Sequence, residues 1–232
     1  MRKILLTLGL FIGIVCNAQT SFDYVLQDTS GAIIMVGDSV LVWADATPTP
    51  TGYSDDFEDY TTGTLNGQGD WVILHDVVNV VDVSGDNQVG STGTGQTALA
   101  YYDDDFDDDQ SSQVDVHNIL GNGYAGVGVR LSGTSSTRNG YIYYGSDTWK
   151  RLRKYVNGSS TDLTYYTSGG LSDDDEVRIE VEGTTISCYL NGVLDTDIGT
   201  GGETEDSDLT TGKGGIAVYY NGRIDDWEGK DL

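Results

Sequence analysis

The chain has 232 residues, with 37 acidic against 12 basic side chains and a formal net charge of −25. A charge of that size excludes nucleic acid and anionic membrane surfaces as primary partners. The 15 Tyr, 4 Trp and 4 Phe exclude a disordered acidic chain, and the length suits one β-sandwich or barrel with an extension.

At the start, Arg2 and Lys3 precede an apolar run from Ile4 to Val15, and the small Ala18 precedes Gln19. This is the pattern of a secretory signal peptide over residues 1–18. The alternatives are a lipoprotein leader acylated at Cys16 and a retained anchor, for which the run is short. Export predicts a secreted or cell-surface protein with no membrane insertion after cleavage. Loss of the leader takes the charge from −25 to −27. It also leaves a single cysteine, Cys188, so no intramolecular disulfide holds the mature chain, which depends on its core or on bound metal.

In residues 19–53, two apolar stretches, 32–36 and 40–44, flank the turn-like Gly37 and Asp38 and predict a short hairpin. TPTPTG, from Thr47 to Gly52, holds both prolines of the protein and reads as an extended linker. A domain boundary is expected near residue 53. The hairpin reads equally as an extra edge pair or as a segment, 19–47, that attaches to a protein partner.

From Asp55 onward no stretch has a helical period. Asn-Gly pairs at 66, 122, 139, 157, 191 and 221 supply the positive φ of tight hairpin turns. Candidate strands are 71–74, 113–119, 125–131, 140–144, 149–156, 163–167, 176–182, 185–190, 215–220 and 223–227; the glycine-rich 85–96 reads as a loop or slack edge. The clearest signal is 176–194. Val177, Ile179 and Val181 alternate with Arg178, Glu180 and Glu182, and after a Gly-Thr turn Ile186, Cys188 and Leu190 alternate with polar residues, predicting a hairpin buried on one face with Cys188 as a small core hydrophobe. So many strands predict an all-β fold of two packed antiparallel sheets or a barrel.

The order DDFEDYTTGTLNGQGDW, YAGVGVRLSG, NGYIYY, LRKYVNGSSTDL, EVRIEVEGTTISCYLNGVL and TGKGGIAVYYNGRIDDWEG resembles the concanavalin A-like lectin/glucanase superfamily over residues 54–232. It is most similar to the LamG-like modules of exported bacterial proteins. The resemblance implies a two-sheet jelly-roll sandwich whose first and last strands lie side by side. Members include lectins, glycan-binding modules, glycosidases and structural domains, so fold alone does not name an activity.

If the terminal strands pair, DDFE (55–58) and DDWE (225–228) converge, and a cation relieves their repulsion. The resemblance implies a structural Ca²⁺, with Asp56 and Asp226 as ligands and Glu58 and Glu228 as outer candidates; the alternative is a solvated acidic edge. DDDFDDD (103–109) lacks the glycine and glutamate of an EF-hand and reads first as an acidic turn. No glutamate begins the ExDxxE spacing of the superfamily's glucanases, and no GxSxG, HExxH or CxxC occurs. His117, on one strand face with Gln113 and Asp115, and His75 are the only histidines, leaving a lyase as a minor reading.

Aromatic residues fall on neighbouring strands: Tyr141, Tyr143 and Tyr144, then Trp149 and Tyr155, then Tyr165 and Tyr166, then Tyr219 and Tyr220. Flat rings beside Asn, Asp or Arg suit sugar faces and their hydroxyl rims. The basic run WKRLRK suits a carboxylated or sulfated polysaccharide or simply balances nearby acids. The leading expectation is an exported, non-catalytic module that binds polysaccharide through Trp149, Tyr155, Tyr143 and Arg151. The alternatives are a structural or adhesion module and a polysaccharide-cleaving enzyme without the usual signature.

Overall fold

The computed structural model describes residues 51–232 apart from 94, 120 and 122; of residues 1–50 it describes only the backbone of four short strands. The chain divides into two compact units, Met1–Pro50 and Thr51–Leu232.

In the first unit, β1 (Gly13–Ile14), β2 (Tyr24–Gln27), β3 (Ile33–Gly37) and β4 (Val40–Leu41) form one antiparallel sheet in that order. Gly37 lies opposite Val40, so β3 and β4 pair across the expected hairpin. The rest of the leader, the side chains of the hairpin and the Thr/Pro segment up to Pro50 lie outside the described residues.

The second unit carries β5 (Gly52–Asp55), β6 (Gly63–Thr64), β7 (Trp71–His75), β8 (Asn79–Asp82), β9 (Asn87–Gly90) and β10 (Ala98–Tyr102). These are followed by β11 (Gln110–His117), β12 (Tyr124–Ser132), β13 (Asn139–Gly145), β14 (Lys150–Val156), β15 (Ser159–Tyr166) and β16 (Asp175–Glu182). The last are β17 (Thr185–Leu190), β18 (Val193–Leu194), β19 (Glu203–Glu205), β20 (Lys213–Tyr219) and β21 (Arg223–Asp231). One sheet has seven strands in the order β15-β14-β13-β12-β20-β10-β7. The other has ten, with β18-β17-β16-β11-β21-β9-β8-β6 as its path, β19 beside β17 and β5 beside β21. Every pairing is antiparallel, and the fold is an all-β jelly-roll sandwich. β5 and β21 place the first and last strands of this unit side by side, with Asp55 opposite Trp227 and Gly52 opposite Lys230. Gly52 and Tyr53, assigned to the linker by their neighbouring prolines, therefore already belong to the sheet.

The hairpin at 176–194 forms in the expected register. Glu182 lies opposite Thr185 and Val177 opposite Leu190; Gly183, at φ 58°, takes the left-handed turn. Val177, Ile179, Val181, Ile186 and Cys188 are all fully buried between the sheets. Asn157-Gly158 and Asn191-Gly192 have positive φ at both residues and close the β14–β15 and β17–β18 turns. Asn139-Gly140 is different: both residues sit inside β13. A Cβ on Gly140 would lie 2.4 Å from Leu131 Cδ2, so this glycine makes room for a packed leucine. The span 85–96, expected as a loop or a slack edge, contains β9, whose Gln88 and Val89 are buried.

Where β21 crosses under β7 the core is aromatic. Trp71 and Trp227 meet edge to face with centroids 4.9 Å apart, and Tyr102 stacks on Trp227 at 5.0 Å. Both indoles are anchored, Trp71 Nε1 donating to Asp55 Oδ2 at 2.7 Å and Trp227 Nε1 to Ser112 Oγ at 2.9 Å. Buried Trp stays only where its N–H finds an acceptor. Both acceptors come from the ten-stranded sheet.

Candidate functional site

Side chains on a strand alternate between faces. On β13 Tyr141 and Tyr143 enter the core between the sheets, while Ile142 and Tyr144 emerge on the opposite face of the seven-stranded sheet. The register of β14 follows. Arg151 lies opposite Tyr144 and Arg153 opposite Ile142, so Arg151, Arg153 and Tyr155 share that outer face, and Lys150, Leu152 and Lys154 turn inward. On β15, Tyr165 lies opposite Arg151 and Asp162 opposite Arg153.

The outer face has its own apolar floor of Leu74, Leu99, Leu131, Ile142, Tyr144, Tyr155 and Ala217, with Tyr101, Tyr124 and Trp149 packed on it. Small residues in the central strands make this floor possible. A Cβ on Gly128 would approach Leu131 and Ile142 to 3.1 Å, so only glycine lets those side chains lie across the strand.

On the floor stands a run of rings. Tyr219 stacks on Tyr124 at 4.4 Å and 13°; Tyr124 meets Trp149 at 5.2 Å; Trp149 meets Tyr144 edge to face at 5.5 Å and Tyr165 at 5.9 Å. Trp149 is half-buried and Tyr165 is 49% exposed. The Arg151 guanidinium lies 4.1 Å from the Tyr165 centroid, 5.1 Å from Trp149 and 5.9 Å from Tyr144. Its Nη1 donates to the Tyr144 hydroxyl at 3.4 Å, and its Nε is buried with no hydrogen-bond partner. Arg153 Nε donates to Asp162 Oδ1 at 2.6 Å. Burial raises the Tyr144 and Tyr124 hydroxyl pKa values, so both remain neutral hydroxyls.

Of the expected contact residues, Trp149 and Arg151 stand on this face together. Tyr155 shares the face but is 4% exposed, its ring covered by the Arg138 guanidinium 4.7 Å above it. Tyr143 is a correction. It is fully buried on the core side, its hydroxyl donating to Asp195 Oδ2 at 2.5 Å, because the parity of β13 sends 143 inward and 144 outward. Tyr124, Arg138 and Asp162 were not among the expected residues. Asp162 was within reach of the sequence, since the Asn157-Gly158 turn sets the residue opposite Arg153, whereas a register shift between Leu152 and Arg153 brings Tyr165 rather than Thr164 opposite Arg151. No local pattern marks Tyr124 or Arg138, which arrive from other parts of the sheet.

The expected metal ligands lie elsewhere. A cavity of about 670 Å³ is lined by Asp56, Asp226 and Glu228 together with Asp55, Asp59, Asp115 and Glu176, and reaches Trp227 and Tyr102. Terminal-strand pairing does gather three of the four. Glu58 is turned away, its Oε1 accepting from the Asn87 amide at 2.8 Å. Asp55 is committed to the Phe57 amide, the Trp71 indole and the Tyr60 hydroxyl. Among the described residues no group of three or more His, Cys, Asp or Glu is placed to hold a metal ion. The cavity gathers carboxylates of the kind Ca²⁺ takes, but half-buried Asp55 is already held by three protein donors and Glu58 lies outside it against Asn87, so the implied set of four ligands does not come together. At its edge Asp115 lies directly opposite Asp225 across β11 and β21. Burial, then Asp226, raises the Asp225 pKa to about 6, and burial likewise raises Asp115.

The acidic run 103–109 is a connection before β11, as expected. Arg130, 2% exposed, holds it by donating Nε and Nη2 to the Asp108 carbonyl at 3.0 and 2.8 Å. His117 shares its face with Gln113 and Asp115 as the alternation predicts, and pairs with Asp174 at 3.0 Å. His75 is held by Ser135 and Gln96.

No protein-family model matches the sequence, and comparison with curated proteins finds no match. Solved structures do match. A carbohydrate-binding module of the CBM66 type from Bacillus subtilis aligns with a TM-score of 0.50 at 17% identity, over 70% of this chain and 92% of its own. A Bacillus subtilis protein of unknown function with a galectin-like fold gives 0.52 at 10% identity, over 76% and 94%. A structure described as a native glycosidic hydrolase gives 0.50 at 10% identity, over 78% and 95%. The likeness is one of fold, and the fold is concanavalin A-like; these structures do not single out the narrower LamG-like group.

Proposed function

We propose that the chain is an exported carbohydrate-binding module that seats a saccharide on the outer face of the seven-stranded sheet. The observation that carries this reading is the Trp149–Arg151–Tyr165 constellation. A guanidinium with unspent donors lies within 4.1 and 5.1 Å of the centres of two accessible rings, all three resting on an apolar floor. Sugars offer weakly polar ring faces to aromatics and hydroxyls to in-plane donors. The CBM66-type structure supports the reading by its description, and the glycosidic hydrolase shows that the same architecture also serves cleavage. Catalysis finds less support here. No ExDxxE strand exists, and among the described residues the outer face brings only Asp162 against the arginines.

The leader-like residues 1–18 support export, and 19–47 remain the segment offered to a protein partner. The test is calorimetric titration of the mature chain with a polysaccharide panel, repeated with Trp149→Ala. Loss of the indole is expected to weaken binding by about 2 kcal/mol or more, as for a central aromatic contact, with the melting transition still cooperative. Binding undiminished in that variant would remove this face from the proposal.

A further inference from the structure

We propose that the saccharide this face selects is acidic, a uronic-acid glycan whose carboxylate is received by Arg151 and Arg153. The inference rests on the carbohydrate reading above and adds the ligand's charge.

The distribution of cations is the first ground. Of 12 basic residues in the whole chain, three guanidiniums, Arg138, Arg151 and Arg153, gather on the outer face. The inward lysines of the same strand are spent. Lys150 Nζ contacts Asp195 and Asp197 at 2.7 and 2.8 Å, and Lys154 contacts Asp206 and Asp208 at 2.5 and 2.6 Å. A chain with 37 acids thus neutralises its buried lysines twice over. Yet among the described residues it brings one carboxylate, Asp162, to the three arginines.

Unspent valence is the second. Asp162 Oδ1 is 2.6 Å from Arg153 Nε, whereas Oδ2 is 3.6 Å from Arg151 Nε, beyond hydrogen-bond range. The protein's own carboxylate therefore takes one donor of Arg153, Nε, and hydrogen-bonds none of Arg151, which leaves donors on both guanidiniums. Arg151 is 17% exposed at its side chain, and its one hydrogen bond among the described residues is the long one from Nη1 to the Tyr144 hydroxyl, so its terminal nitrogens keep donors for an anion. Arg138 repeats the pattern at the far end of the face: Nη1 donates to the Ser135 carbonyl and Nη2 to Gln96, while Nε is buried and unpartnered.

Geometry selects the kind of anion. The Arg151 guanidinium centre lies 4.1 Å from the Tyr165 centroid and 5.1 Å from that of Trp149, so the edge that carries its donors is beside the rings. A planar carboxylate meets such an edge in the fork arrangement. On a hexuronic acid that group is attached to the ring the neighbouring aromatics would stack against, so both contacts fall within one sugar unit. A sulfate ester stands off the ring, with oxygens out of one plane, and fits the edge less well.

Calorimetric titration of the mature chain tests this with oligomers of galacturonate, mannuronate and guluronate, the same oligomers after carboxyl reduction to neutral sugars, and a sulfated galactan. At least one uronate series is expected to bind ~10-fold or more tightly than its reduced counterpart, the size of one charge-assisted bond. Arg151→Gln and, separately, Arg153→Gln are expected to shrink that ratio towards one, and Arg151→Lys to restore it in part. Equal binding of charged and reduced oligomers, or binding of the sulfated polymer alone, overturns the acidic-sugar inference and leaves the carbohydrate reading standing. A uronate preference unaltered in both glutamine variants overturns the placement. No binding of any oligomer, charged or neutral, overturns both. The wild-type comparison decides by itself, so the result does not depend on the variants folding.

Discussion

The inward face of β14 carries two matching constellations. Lys150 is held by Asp195 and Asp197, with Tyr143 donating to Asp195; Lys154 is held by Asp206 and Asp208, with Tyr141 donating to Asp206 at 2.7 Å. Each ties a loop of the ten-stranded sheet's side to the seven-stranded sheet by charge. Hydrogen bonds to Asp195 and Asp197 outweigh burial and raise the Lys150 pKa, so the ammonium persists through neutral pH. Lys150→Met is expected to cost about 3–5 kcal/mol, because it leaves a buried carboxylate facing a second one without a counter-charge; urea unfolding measures it. A loss under about 1 kcal/mol would mean that water replaces the ammonium. The alternation of WKRLRK was legible as two faces, but which face met water was not. Both sides of β13 and β14 are covered by large apolar or aromatic groups, and the same parity rule fits either assignment.

At the scale of elements, β21 joins the two ends of the second unit and carries an irregularity that the sequence hides. Gln113 pairs with Glu228 and Asp115 with Asp225, so Asp226 and Trp227 together oppose the single Val114, and Asp226 takes φ 47°. That bulge turns Trp227 into the core. It also sets Asp225, 8% exposed, against Asp115, a like-charge pair directly across the ladder. The folded-state pKa of Asp225, about 6, is above the usual carboxylate value. The folded form therefore holds its proton where the unfolded form has lost it, and stability falls as pH rises from about 4 to about 6. Asp225→Asn keeps the oxygen that accepts from the Asp226 amide at 2.8 Å and removes the charge. It is expected to flatten that slope and to stabilise the protein by about 1–2 kcal/mol at pH 7. Thermal melts of both proteins from pH 4 to 8 check this, and parallel curves would show that Asp225 is not the titrating group.

For the molecule as a whole the dominant fact is the charge of −25, spread so that no carboxylate group closes on a metal-holding geometry among the described residues. Salt is then expected to act by screening the self-repulsion. NaCl and CaCl₂ at equal ionic strength should raise the melting temperature by similar amounts, and a chelator should leave it unchanged. A calcium-specific rise would show that Asp56, Asp226 and Glu228 rearrange around an ion. What the sequence determined alone was the all-β class, the pairing of 176–194 and the burial of Cys188, while the approach of the acidic stretches 55–58 and 225–228 was what the family resemblance implied. Period-two alternation and positive-φ turns are local constraints, and strand order follows from a family pattern. Tertiary structure alone decided that Tyr144 rather than Tyr143 faces outward, that Arg138 covers Tyr155, and that Glu58 leaves the acidic cavity. Each depends on which sheet face a neighbour far along the chain comes to cover, and burial of that kind is a property of two packed surfaces rather than of either strand.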